Sequence, residues 1–107
     1  MLSDNYYIEL AEVVHKAVLN WDPINLIKNG APKDEYYLLE KRFLRGIINS
    51  DSEIEILKKV KGNLKQFDLE EDELGTEQID QLDSEIRNII EELREKELEL
   101  RREFKNN

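Results

Sequence analysis

The chain has 107 residues, of which 39% are hydrophobic and 38% charged, and its formal net charge is -9 at pH 7. That length suits one domain with a thin core, and the balance is too apolar for a disordered chain and too charged for a thick interior. No run approaches the ~18 apolar residues of a membrane span, no Cys is present for a disulfide frame or thiolate metal site, and MLSDNYYIEL lacks the basic and apolar regions of a signal peptide. We therefore expect a cytoplasmic protein without membrane association.

Gly and Pro are scarce, at four and two, and Glu, Leu, Lys and Ile dominate, which is an all-α composition. Ser3 or Asp4 can cap a first helix whose apolar positions are Tyr6, Leu10, Val13, Val14, Ala17, Val18 and Trp21. It is predicted to end near Asn20, where Asp22-Pro23 supplies an N-cap and a first helical position for a short second helix carrying Ile24, Leu26 and Ile27. Asn29-Gly30 stops that helix, because Gly accepts the left-handed conformation of a helix end. Ala31-Pro32 restarts the chain with Asp34 and Glu35 in the first turn, near the positive end of the helix dipole. The apolar face there is Tyr36, Leu39, Phe43 and Ile47, widened by Leu44 and Ile48.

A polar break follows at 49–52. Ser52 and Glu55 fit a capping box for a further helix with the stripe Ile54, Leu57, Val60, Leu64 and Phe67, weakened at Gly62. Thr76 can cap a last, much longer helix. Its seam of Ile79, Leu82, Ile86, Ile89 and Leu93 alternates three and four apart, as in a coiled-coil heptad; Lys96 interrupts it, and Leu100 and Phe104 resume it. Glu92–Lys96, Glu97–Arg101, Glu91–Arg94 and Glu99–Arg102 are spaced to pair along the polar face.

The charge is unevenly placed. Residues 1–67 hold ten acidic and ten basic side chains, residues 86–107 six of each, and residues 68–85 nine acidic and none basic. Such a block marks a solvated connector or an interaction segment, and it argues against nucleic acid, whose phosphates need a basic face. Asp68, Glu70, Glu71, Asp72 and Glu73 are the candidate contacts for a protein partner of basic character.

Trp21-Asp22-Pro23-Ile24 and Ala31-Pro32-Lys33-Asp34-Glu35-Tyr36 together resemble the signature of an uncharacterised family of short helical bacterial proteins, a domain of unknown function best represented in bacilli. The likeness covers about residues 1–70, including a stretch from Ser52 to Asp68 similar to the family's last helix. It implies a fold and no activity. Asn25 stands where family members often carry Gly, and the helix after Thr76 looks like an addition.

Other site readings are weak. Asp22, Asp34 and Glu35 could converge as a hard-metal or acid–base site, but capping and dipole placement account for all three. His15, the single His, has no nucleophile in a motif beside it and no ligand set for zinc. Trp21, with Tyr36 packed on it, reads as a core plug, while Tyr6, Tyr7 and Tyr37 are candidates for an exposed aromatic patch. No catalytic, cofactor-binding or metal residue is therefore assigned.

The reading is an all-α protein: a compact bundle over 1–67, an acidic connector over 68–75 and a long terminal helix over 76–107. The terminal stripe is expected to pair with a second copy as a homodimer, or alternatively to fold back on its own bundle. A non-enzymatic protein-interaction module is the expected function. An immunity protein or antitoxin against a basic toxin, and a carboxylate-based enzyme, are the alternatives.

Overall fold

The computed structural model describes residues 4–23, 29–31, 35–64 and 76–105, and these form four α-helices and no strand. They are α1 (Asp4–Trp21), α2 (Tyr37–Ile48), α3 (Glu53–Leu64) and α4 (Thr76–Lys105). The expected short helix after Pro23, the Pro32 start, Asp34, Phe67 and the acidic connector lie outside the described residues. The all-α class is as expected.

The stripe of α1 resolves into a fully buried line, Tyr6, Leu10, Val14 and Val18, four apart, flanked by the partly buried Val13, Ala17 and Trp21. Asp22 closes the helix in the left-handed region at φ 45, its N–H bonded to Val18 O at 2.9 Å. Its conformation is that of a C-terminal residue of α1, not the extended N-cap expected from the following Pro. Gly30, with φ 92, takes the left-handed turn predicted for it. α2 starts at Tyr37, later than the Ala-Pro pair suggested, and Glu35 and Tyr36 form a turn ahead of it, so Glu35 lies outside the first helical turn. Tyr36, Leu39, Phe43 and Ile47 are all buried, whereas Ile48 is turned out.

The α2–α3 connection is tightly made. Asp51 N–H bonds to Gly46 O at 2.9 Å and Ser50 N–H to Ile47 O at 3.2 Å, the paired bonds of a Schellman end, with Ser50 left-handed at φ 56. Ser52 Oγ then accepts from Glu55 N–H at 3.3 Å, which is one half of the expected capping box. α3 continues two residues beyond Gly62.

Two phases differ from the sequence reading. On α3 the core residue is Ile56, fully buried, and Ile54 is 55% exposed. Gly46 is the reason: a Cβ there would lie 2.5 Å from Ile56 Cγ1, so Ile56 occupies the space that the missing side chain leaves. On α4 the buried positions run Leu82, Ile86, Ile89, Ile90, Leu93 and Glu97, with Leu100 and Phe104 partly buried. That is the 3.6-residue period of a straight helix, not the 3.5 of a coiled coil. Beyond Leu93 the two templates differ by one position, which sends Lys96 to solvent, where it meets Glu92 at 3.4 Å, and brings Glu97 inside.

α4 sets the molecule's longest dimension, 49 Å, and packs on α1, α2 and α3. The stripe expected to seek a second copy is thus covered within the chain: Leu82, Ile86, Ile89 and Leu93 are buried and Ile79 half-buried. The helix belongs to the same core as the first three, in the folded-back arrangement.

Replacing Gly46 by Ala should force Ile56 out of place. Overpacking of about 1–3 kcal/mol outweighs the ~1 kcal/mol gain in helix propensity. We expect a lower urea midpoint for Gly46→Ala; an unchanged or raised midpoint would contradict the close approach.

Candidate functional site

The polar groups that reach across the helices fall into two kinds, those that lock α4 in place and those that remain on its outer face. The most deeply placed lock is a triad. Tyr6 Oη donates to Glu97 Oε1 at 2.6 Å, and Arg101 donates to the same oxygen through Nε at 3.0 Å and Nη2 at 2.5 Å. Tyr6 is 1% and Glu97 6% exposed. A buried carboxylate needs such partners, because an unpaired one would be driven to neutralise. Burial, and then the Glu97 hydrogen bond, push the Tyr6 phenol up to about 12. The hydrogen bond to Glu97 also raises Arg101 further, keeping its guanidinium charged. Phe104 meets the Tyr6 ring edge-on at 6.1 Å and closes the triad's apolar side.

A second set of ties gathers around the end of α1. Trp21 Nε1 donates to Glu85 Oε2 at 3.0 Å, and its ring stands edge-on to Phe43 at 6.2 Å. Trp21 is half-buried, a junction residue with a wet edge and not a full plug. Tyr36, fully buried, donates its hydroxyl to Asp22 Oδ1 at 2.5 Å. This bond staples the exit of α1 to the entry of α2. His15 Nδ1 lies 2.8 Å from Glu40 Oε1 between the same two helices.

The described end of the acidic block is partly consumed in such ties. Asp83 lies 2.9 Å from Lys61 Nζ, and Glu85 accepts from Trp21 and from Gln81, the latter at 3.3 Å. Glu77 and Asp80 stay exposed. Further along α4, Glu91 and Glu95 are also exposed. A shallow hollow where α4 passes the start of α3 is lined by Glu53, Asp80, Asp83, Glu91 and, as its one cation, Arg87, whose Nε is 3.5 Å from Glu53 Oε1. Its chemistry suits a cationic side chain from outside.

Of the residues singled out from the sequence, Asp68, Glu70, Glu71, Asp72 and Glu73 fall outside the described residues, as do Pro32 and Asp34 of the signature. The three carboxylates Asp22, Asp34 and Glu35 are not seen as a cluster: Asp22 is engaged by Tyr36, and Glu35 is exposed in the turn before α2. Among the described residues, no group of three metal-binding side chains forms. The aromatic patch is not assembled either. Tyr6 is buried, Tyr7 sits near the start of α1, and Tyr37 opens α2 beside the other end of α1. Arg94, expected to pair with Glu91, instead donates to Asp51 O at 2.5 Å and anchors the α2–α3 turn.

Comparison with protein-family models, with curated proteins and with solved structures gave no match.

Tyr6→Phe should lower stability at neutral pH by about 1.5–3 kcal/mol, the usual worth of a hydrogen bond to a charged group. The sign with pH follows from the raised phenol. Its contribution is complete below the ordinary Tyr value of about 10 and is lost as pH climbs through about 12. Urea unfolding of both proteins from pH 7 to pH 11.5 should show their difference constant up to about pH 10 and shrinking beyond it. A difference that grows with alkalinity would contradict the triad.

Proposed function

We propose that the protein is a non-enzymatic interaction module of the bacterial cytoplasm that receives a basic protein surface on the outer face of α4 and the acidic connector ahead of it. The observation that supports this reading is a fixed array of carboxylates. Glu77, Asp80, Glu91 and Glu95 are exposed on a helix whose other face is buried in the core. A helix held that way presents its charges without the ordering cost of a free segment. Charge complementarity of this type speeds encounter and sets partner choice. A toxin-neutralising role is one form of the same reading, and the nature of the captured protein decides it.

The chain is proposed to act as a single folded-back unit, because the α4 stripe that would join two copies is already covered. Light scattering at high concentration should return 12.7 kDa; twice that mass would mean that a different face pairs.

Affinity capture from native lysate tests the partner. At low salt we expect a basic protein in stoichiometric amount, released as salt rises from about 0.1 to about 1 M and the screening length falls from ~10 to ~3 Å. The variant Asp80→Lys/Glu91→Lys/Glu95→Lys should lose it. A partner retained by the variant and in high salt would overturn the electrostatic reading.

A further inference from the structure

A small cleft of about 140 Å³ lies between α2 and α3, lined by Leu38, Lys41, Arg42, Arg45 and Asn63. Lys41 and Arg45, four apart on α2, share a stripe of the helix, and Arg42 reaches the cleft from the adjoining face. Among the described residues, none of the three has a carboxylate within ion-pair distance. The acid on the same helix, Glu40, turns instead to His15. Lys41 and Arg45, like charges four apart, weaken an isolated helix. Arg42 reaches Asn63 and Lys41 covers the Tyr37 ring, but among the described residues no carboxylate balances the three charges.

Asn63 adds an independent observation. It is 5% exposed, and its Oδ1 accepts from Arg42 Nε at 3.2 Å. Arg has no acceptor, so the amide oxygen must be the atom that faces it. The amide nitrogen is then the group left over, and Nδ2 is buried with no hydrogen-bond partner among the described residues. A buried donor without an acceptor is rare in a folded protein and is the kind of group that a ligand satisfies. The cleft borders that amide with three cations around it.

We propose that this cleft binds a phosphate group. Three positive charges from one helix and an amide from the next match a dianion better than a singly charged carboxylate. The volume corresponds to the share of about four to five water molecules, room for one oxyanion. Arg42 keeps its Nη donors for the ligand while Nε holds Asn63. Lys41 Nζ, 4.7 Å above the Tyr37 ring, is held at the rim. Leu38, 53% exposed, offers an apolar wall for the organic part of a phosphomonoester.

The test is a titration of the full chain followed by amide NMR, with inorganic phosphate, glycerol phosphate, sulfate and acetate at matched ionic strength. Inorganic phosphate should shift the Asn63 side-chain amide along a saturating curve, and acetate should not. Glycerol phosphate binding more tightly than inorganic phosphate would assign the site to phosphomonoesters, and equal binding to the bare group; either supports the proposal. Arg45→Gln, at an exposed position, should weaken binding about tenfold, the loss of one charge-assisted contact, with the rest of the spectrum intact. Asn63→Leu tests the buried donor, and its circular dichroism confirms folding before affinity is read. Shifts that rise linearly, are alike for all four anions, or survive in Arg45→Gln would overturn the site.

Discussion

The structure depends on the apolar stripe of α4 keeping the phase of a straight helix over its whole length. α4 touches each of the other three helices, as α2 also does, and its buried residues from Leu82 to Leu93 lie in the same cluster as those of α1, α2 and α3. A bundle of three short helices would have a thin core at this size. The return of α4 supplies the missing layer. It also decides which face is left for solvent, and so where the carboxylates of an acidic chain end up.

The same phase explains the buried charge. A helix with 3.6 residues per turn drifts about 20° per heptad from a 3.5 repeat, so a stripe that began on heptad positions cannot end on them. In α4 the drift brings Glu97 to the core where an apolar residue would serve packing better. A buried ion pair contributes little net stability by itself, because desolvation offsets the attraction. Its value is in position. Glu97 accepts from Tyr6 near the start of α1 and from Arg101 one turn on, so only one register of α4 against α1 satisfies it. Trp21–Glu85 makes a similar demand at the other end of α1. Two polar ties at opposite ends of one helix–helix contact fix its register, which apolar stripes alone specify loosely.

Much of this was legible in the chain. The lines Tyr6–Leu10–Val14–Val18 and Tyr36–Leu39–Phe43–Ile47 obey helical spacing and are buried as read, and the Ser52 cap is present. What escaped has a common cause. Ile54 and Ile56 are both apolar, and periodicity could not choose between them until Gly46 of another helix was seen to leave a space. Glu97 looked like a surface residue because its partner Tyr6 lies 91 residues away. Asp22 fitted an N-cap by residue type, yet its left-handed backbone and its tie to Tyr36 give it a different role. Local rules found the helices and missed the contacts between them.

The cleft on α2 was hidden by arithmetic of a different sort. Residues 1–67 balance at ten acids and ten bases, and a balanced segment suggests no charged site. Balance in sequence is not balance in space. Glu40 is drawn toward His15 on one side of α2, while Lys41, Arg42 and Arg45 remain together on another beside the unsatisfied amide of Asn63. The acidic block shows the reverse: nine consecutive charges of one sign suggested a solvated connector or an interaction segment, yet Asp83 and Glu85 are spent on Lys61 and Trp21. Helix packing sorts the charges a second time, pairing some acids inside and leaving Lys41, Arg42 and Arg45 without an ion pair among the described residues. The resulting surface carries a carboxylate face on α4 and a cationic cleft on α2, two features of opposite sign that a net charge of -9 conceals. Ligands for the two would differ in kind, because a helix face of spaced acids meets an extended basic surface, whereas a cleft closed by a buried donor admits one compact anion.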